Sequence, residues 1–151
     1  MWGSDRENRN TIPRAYYQGS CEKFLSASEA EIYHELVHNS LQFDLTVQQE
    51  RAWNEEVRIL KDVMFQLQEG HIAFEYSIPR MGKRIDAVLV IRSCVILLEF
   101  KVFETAYPKN AVDQVIDYAL DLHNFHESSH TANLFPILVC TGAPVHVNQI
   151  S

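Results

Sequence analysis

Two periods of apolar residues follow one another along this chain. From Ser26 to about Gln42, Ile32, Leu36 and Val37 recur among acidic neighbours at helical spacing, with Ser26 or Ser28 placed to cap the first turn. From about Val47 to Gln68, Trp53, Val57, Leu60, Met64 and Leu67 recur at intervals of three and four, the stripe of a longer helix that Gly70 closes. The period then falls to two. His71 to Ile78 alternates as a strand, stops at Pro79 and turns through Met81 and Gly82. Ala87 to Ile91 and Cys94 to Leu98, separated by Arg92 and Ser93, read as two further strands joined by a tight turn. Ala111, Val115, Tyr118, Leu122 and Phe125 restore the helical period for about four turns. Leu134 to Cys140 is a last apolar strand before Thr141-Gly142-Ala143-Pro144.

This order, αβββαβ after one extra N-terminal helix, predicts an α/β fold with a mixed sheet in three α/β/α layers. The crossover helix covers one face and the long helix the other. Residues 1–25 read as an N-terminal extension and residues 26–151 as a single domain, its helical part at 26–69 and its core at about 47–144. A sheet with one strand after its crossover helix commonly continues, so the chain is expected to be part of a longer one.

Composition narrows the class. With 151 residues, 46% of them apolar, the chain can bury one real core. Its apolar runs are too short to cross a bilayer, and MWGSDRENRN lacks the apolar centre of a signal peptide, so a soluble, cytoplasmic protein without a membrane partner is expected. Cys21, Cys94 and Cys140 read as reduced thiols rather than a disulfide frame or zinc knuckle. A formal net charge of −7 argues against a polyanion ligand. Yet Arg80, Lys83, Arg84, Lys101 and Lys109 gather around the two central strands, while the acids concentrate in the helical half, and a divalent cation would shift the local balance further.

The central strands carry the chemistry. RIDAVLVIRSCVILLEFK, residues 84–101, sets Asp86, Glu99 and Lys101 within apolar runs. Ile91 opposite Cys94 puts Asp86 opposite Glu99, two like charges on one face that need compensation, with Lys101 two residues further along that face. The turn lacks Asn-Gly chemistry and is expected to open to four residues without changing the register. Paired carboxylates beside a lysine suit Mg²⁺ or Mn²⁺, hard cations that activate water and neutralise charge on a phosphoryl oxygen. The plainer reading is a solvated ion pair at a strand end, with Asp86 capping a turn.

Asp86, then Glu99-Phe100-Lys101, followed by Gln114-Val115-Ile116-Asp117-Tyr118 on a helix, resembles the PD-(D/E)XK nuclease superfamily, in particular its branch with a Q-x-x-x-Y helix motif. PRAYY at 13–17, FEYSIPRMGKRIDAVL at 74–89, LLEFKV at 97–102 and DQVIDYALDLHNFHESSH at 113–130 resemble more closely the N-terminal domain of a bacterial family of unknown function. Members of that family join a nuclease-like domain to a P-loop DNA/RNA helicase domain related to the Schlafen proteins. The resemblance covers nearly the whole chain and departs at Ile85, where the superfamily has proline. It implies a restriction-endonuclease-like core that hydrolyses phosphodiester bonds in DNA, or in RNA, beside a helicase domain of the same longer chain.

On that resemblance Asp86, Glu99 and Lys101 are catalytic, and Asp86 and Glu99 hold Mg²⁺ or Mn²⁺. Lys101 orients or deprotonates water or stabilises the charged transition state. Gln114 and Tyr118, four apart on a face beside the apolar stripe, approach the substrate backbone together with Arg84. A further metal ligand is expected from the long helix, where Glu56 lies about 40° from the centre of the stripe and Glu55 on the opposite side. Glu75 is placed to support the site or to pair with Arg84. The alternative is a nuclease-fold module that binds nucleic acid, or docks the helicase, without cutting. His34-Glu35-Leu36-Val37-His38 matches the zinc-peptidase pattern H-E-x-x-H, but no clear third ligand follows, and an amphipathic helix with two histidines accounts for it. His123, His126 and His130, near a helix end, read as solvated or charge-complementing.

Overall fold

The computed structural model of the chain describes residues 14–40, 45–78, 81–102, 104–125 and 133–142. Gln42, Pro79, Arg80, His126, His130 and the end of the Thr141–Pro144 turn, each singled out above, lie outside them.

A strand β1 (Tyr17–Ser20) leads into three helices, α1 (Cys21–Ser26), α2 (Glu29–Ser40) and α3 (Val47–Leu67). Strands β2 (His71–Ile78), β3 (Lys83–Ile91) and β4 (Cys94–Lys101) follow, then α4 (Lys109–Phe125) and β5 (Asn133–Cys140). The result is a small mixed α/β domain in which one five-stranded sheet, in the order β1-β2-β3-β4-β5, is flanked by helices. β1 to β4 are antiparallel neighbours, and β5 runs parallel to β4 after its helical crossover. Among the described residues no helix is long and apolar enough to cross a membrane.

The N-terminal region departs from expectation. The residues read as an extension supply the edge strand β1 and a first helix, α1, and the helix expected from Ser26 to about Gln42 is a second, α2, over Glu29–Ser40. Ser28 caps the second, its Oγ accepting the Glu31 N–H at 3.1 Å, while Ser26 ends the first. Lys61 Nζ donates to the Phe24 and Ala27 carbonyls, which closes α1 onto α3. The end of α3 also differs: Gln68, at φ 57°, is the left-handed cap, and its N–H reaches Met64 O at 2.9 Å. Gly70 serves close approach instead, because a Cβ there would lie 2.6 Å from Val90 O at a φ of +101°.

Two cores stabilise the sheet. Phe24, Ile32, Leu36, Trp53, Val57, Leu60 and Met64 from α1–α3 pack on Ile72, Phe74, Ala87, Leu89, Leu98 and Phe100. Tyr118 and Leu122 of α4 pack on Tyr76, Ile78, Ile85, Val88, Val95 and Leu97. Each fully buried Leu, Ile or Phe contributes roughly 1.5–3 kcal/mol, so these two layers dominate the stability of the domain. The thiols of Cys21, Cys94 and Cys140 are free.

The two cores also expose an irregularity that alternation alone does not predict. On β2, Phe74 faces the α1–α3 layer and Tyr76 the α4 layer; on β3, Ala87 faces the first and Ile85 the second. Residues two apart ought to share a face. Both strands therefore reverse at one level, between the pairs Phe74↔Ala87 and Tyr76↔Ile85. The residues at the reversal are Glu75 and Asp86, and Glu75 carries a left-handed φ of 53°.

Candidate active site

The hairpin register is as its sequence requires from Ile91↔Cys94 to Ala87↔Leu98, closed by a two-residue turn with Arg92 at φ 55° rather than by a four-residue loop. The rung expected next, Asp86 opposite Glu99, is not formed by the backbone. Asp86 Oδ2 instead accepts the Phe100 N–H at 2.7 Å, so the side chain occupies the place of a main-chain acceptor. The two carboxyls still meet, because Asp86 and Glu99 hydrogen-bond to each other. Convergence is achieved through the reversal at Asp86 and not through flat pairing.

Glu56 joins them from α3. It is 3% exposed, on the sheet side of the helix, and burial together with the negative charges of Asp86, Glu75 and Glu99 raises its pKa well above the carboxylate range. Glu55 turns outward into an ion pair with Arg58. Glu75 completes the group: its Oε1 accepts the Trp53 indole N–H at 3.1 Å, and burial followed by the Asp86 charge pushes its carboxyl up to about 7. Burial, then the hydrogen bond and charge of Asp86, hold Glu99 protonated far above the usual range, while the nearby Lys101 ammonium opposes the shift. Burial likewise raises Asp86, opposed by its bonds to Glu99 and Phe100 and by Lys101. Burial and mutual repulsion therefore favour the protonated form at each of the four carboxyls.

Tyr118 corrects the reading of the α4 face. Its ring is 1% exposed, within the core rather than beside it, and Gln114 Nε2 donates to its Oη at 2.5 Å. Burial and the charges of Glu99 and Asp86 push its phenol up to about 12, which sets Tyr118 against the carboxyl group. Arg84, expected to contact a substrate, is committed within the protein: Nη1 donates to Glu75 O at 2.7 Å and to Arg14 O at 3.1 Å, and the guanidinium lies 4.3 Å from the Tyr16 ring centroid. It bonds the Glu75 main chain, and its charge also acts on the Glu75 carboxyl, opposing the upward shift. Trp53 and Tyr16 escaped the sequence reading because a helical apolar stripe marks a tryptophan as core, and only the strand reversal reveals which acid its N–H meets.

The donor set suits a hard divalent cation. Glu56 Oε2 and Glu99 Oε2 are buried and have no hydrogen-bond partner within the protein. Native structures leave few such atoms, each costing roughly 1–3 kcal/mol. As they stand, the acids are turned on one another, and among the described residues no three His, Cys, Asp or Glu side chains are arranged to hold one metal ion. That applies equally to α2, where His34 and His38 are exposed while Ile32 and Leu36 fill the core. Two open surface depressions lie over α1 and α3, and neither is lined by a residue of the carboxyl group. No family model matches the chain, and neither a curated protein nor a solved structure does.

Proposed function

We propose that this domain is a metal-dependent nuclease hydrolysing phosphodiester bonds in DNA, in the cytoplasm and beside a helicase portion of a longer chain. The α3-β2-β3-β4-α4-β5 order is read here as a restriction-endonuclease-like core. The observation that carries the reading is the pair of buried, partnerless oxygens on Glu56 and Glu99, both of which feel the charge of Asp86, with Lys101 acting on Glu99. Asp86, Glu99 and Glu56 would hold Mg²⁺ or Mn²⁺, which supplies positive charge and acidifies a bound water. Lys101 adds a cation beside the reacting phosphate, and Gln114, held by its bond to the buried Tyr118 hydroxyl, lends a polar group to the strand being cut. Metal-dependent cleavage of single- and double-stranded DNA tests the proposal: Asp86→Ala and Lys101→Ala should each abolish it, and cleavage that survives both removes the assignment.

A second reading has its own support. The Asp86 carboxylate is already engaged by the Phe100 N–H and by Glu99, as in a module that keeps the fold to bind nucleic acid without cutting. Calorimetry separates the two, since DNA binding with no heat from millimolar Mg²⁺ or Mn²⁺ favours the module.

A further inference from the structure

Glu75 is held at both ends. Its main-chain oxygen accepts from Arg84 Nη1 at 2.7 Å and its Oε1 accepts from Trp53 Nε1 at 3.1 Å. The two donors are braced against each other through Tyr16, whose ring lies under the Arg84 guanidinium at 4.3 Å and meets the Trp53 ring edge-on at 6.4 Å. Glu75, Trp53, Tyr16 and Arg84 thus close a circuit around a residue with left-handed backbone, φ 53°. Such a conformation in a residue other than glycine persists where the surroundings over-determine it, and it gathers at functional sites.

The circuit fixes Glu75 at the level of Asp86 on the neighbouring strand, between the pairs Phe74↔Ala87 and Tyr76↔Ile85, and its Oε1 against Trp53 of α3, the helix that carries Glu56. A buried indole N–H needs only some acceptor, and a backbone carbonyl would satisfy it. Here it takes a carboxyl oxygen of the residue with left-handed backbone, and Trp53 is itself 2% exposed, packed in the core. We propose that Trp53 is the positioning residue of the carboxyl site, its indole N–H fixing Glu75 as the outer support of the cation-binding acids. This rests on the metal-site reading above. Groups that orient ligands in this way typically change metal affinity by about 10- to 100-fold when removed.

The full chain with Trp2→Phe retains a single indole N–H resonance, that of Trp53. Titration with MgCl₂ should move this resonance in step with the heat of binding. Trp53→Phe keeps an aromatic ring against Tyr16 and removes only the donor, and it should weaken Mg²⁺ binding by about tenfold or more. Glu75→Gln, which keeps an oxygen for the indole and loses the charge, should weaken it as well. An unmoved Trp53 resonance at saturating Mg²⁺ overturns the inference, whether or not Trp53→Phe folds. So does Trp53→Phe with unchanged affinity, and if Asp86→Asn then abolishes binding the metal site itself stands. Absence of any Mg²⁺ heat in the unmutated chain overturns both.

Discussion

The Asp86 carboxylate lies 2.7 Å from the Phe100 nitrogen, one residue beyond the glutamate it was expected to face. A side chain therefore supplies an acceptor that the β3–β4 ladder does not, and the same side chain is hydrogen-bonded to Glu99. Structure and chemistry compete for one carboxylate.

Two substitutions separate those roles. Asp86→Asn keeps an oxygen for the Phe100 N–H and removes a charge from a crowded acidic group, so the metal-free protein should melt at the same temperature or higher. Any gain in melting temperature on adding Mg²⁺ should vanish. Asp86→Ala leaves the N–H without an acceptor at a cost of about 1–3 kcal/mol, a fall of several degrees by scanning calorimetry. Equal melting points for the two variants would refute the structural role of the Asp86 acceptor.

Stability should fall as pH rises. Glu75 and Glu99 have pKa values raised in the folded state, Glu75 from 4.5 to about 7, so between those values the folded chain binds more protons than the unfolded one. Where the native state holds the extra proton, stability declines with increasing pH. In EDTA the melting temperature should drop from about pH 5 to above pH 7, and saturating Mg²⁺ should flatten the slope because metal displaces those protons. A slope of the opposite sign in EDTA would mean that the acids are ionised without metal.

Tyr118→Phe retains the buried ring and removes the hydroxyl that meets Gln114. It should lower DNA cleavage by about tenfold, the worth of one hydrogen bond near 1.4 kcal/mol, with little change in melting temperature. Cleavage at the original rate would reduce Tyr118 to a core residue.

Gly70→Ala tests the fold away from the site. A methyl group would press on Val90 O at 2.6 Å in a backbone conformation that alanine avoids. A loss of about 2 kcal/mol or more in urea unfolding is expected, within the range of strain-driven core changes.

The elements from Val47 to Cys140 were legible because each buries one face, and burial writes its period into the sequence. β1 was not: four residues, Tyr-Gln-Gly-Ser, are too few to alternate, and only pairing with β2 defines them. Glu56 could be chosen over Glu55 from the helical wheel alone. The role of Glu75 could not, since a strand of regular alternation would send it to the face of its neighbours two residues away. Its left-handed backbone is a tertiary choice, sustained by Trp53 and Arg84, and no local sequence rule marks it.

The reversal between β2 and β3 has a consequence for how the site relates to the sheet. If Glu75 and Asp86 were struck out together, Phe74 would precede Tyr76 and Ile85 would precede Ala87, and each would already lie on the face that ordinary alternation assigns it. The pairs on either side would close up without exchanging partners. These two acids are thus supernumerary to the ribbon, one inserted into each strand at the same height. The facing pattern of the remaining rungs is regular without them, so the two acids occupy one extra level shared by both strands.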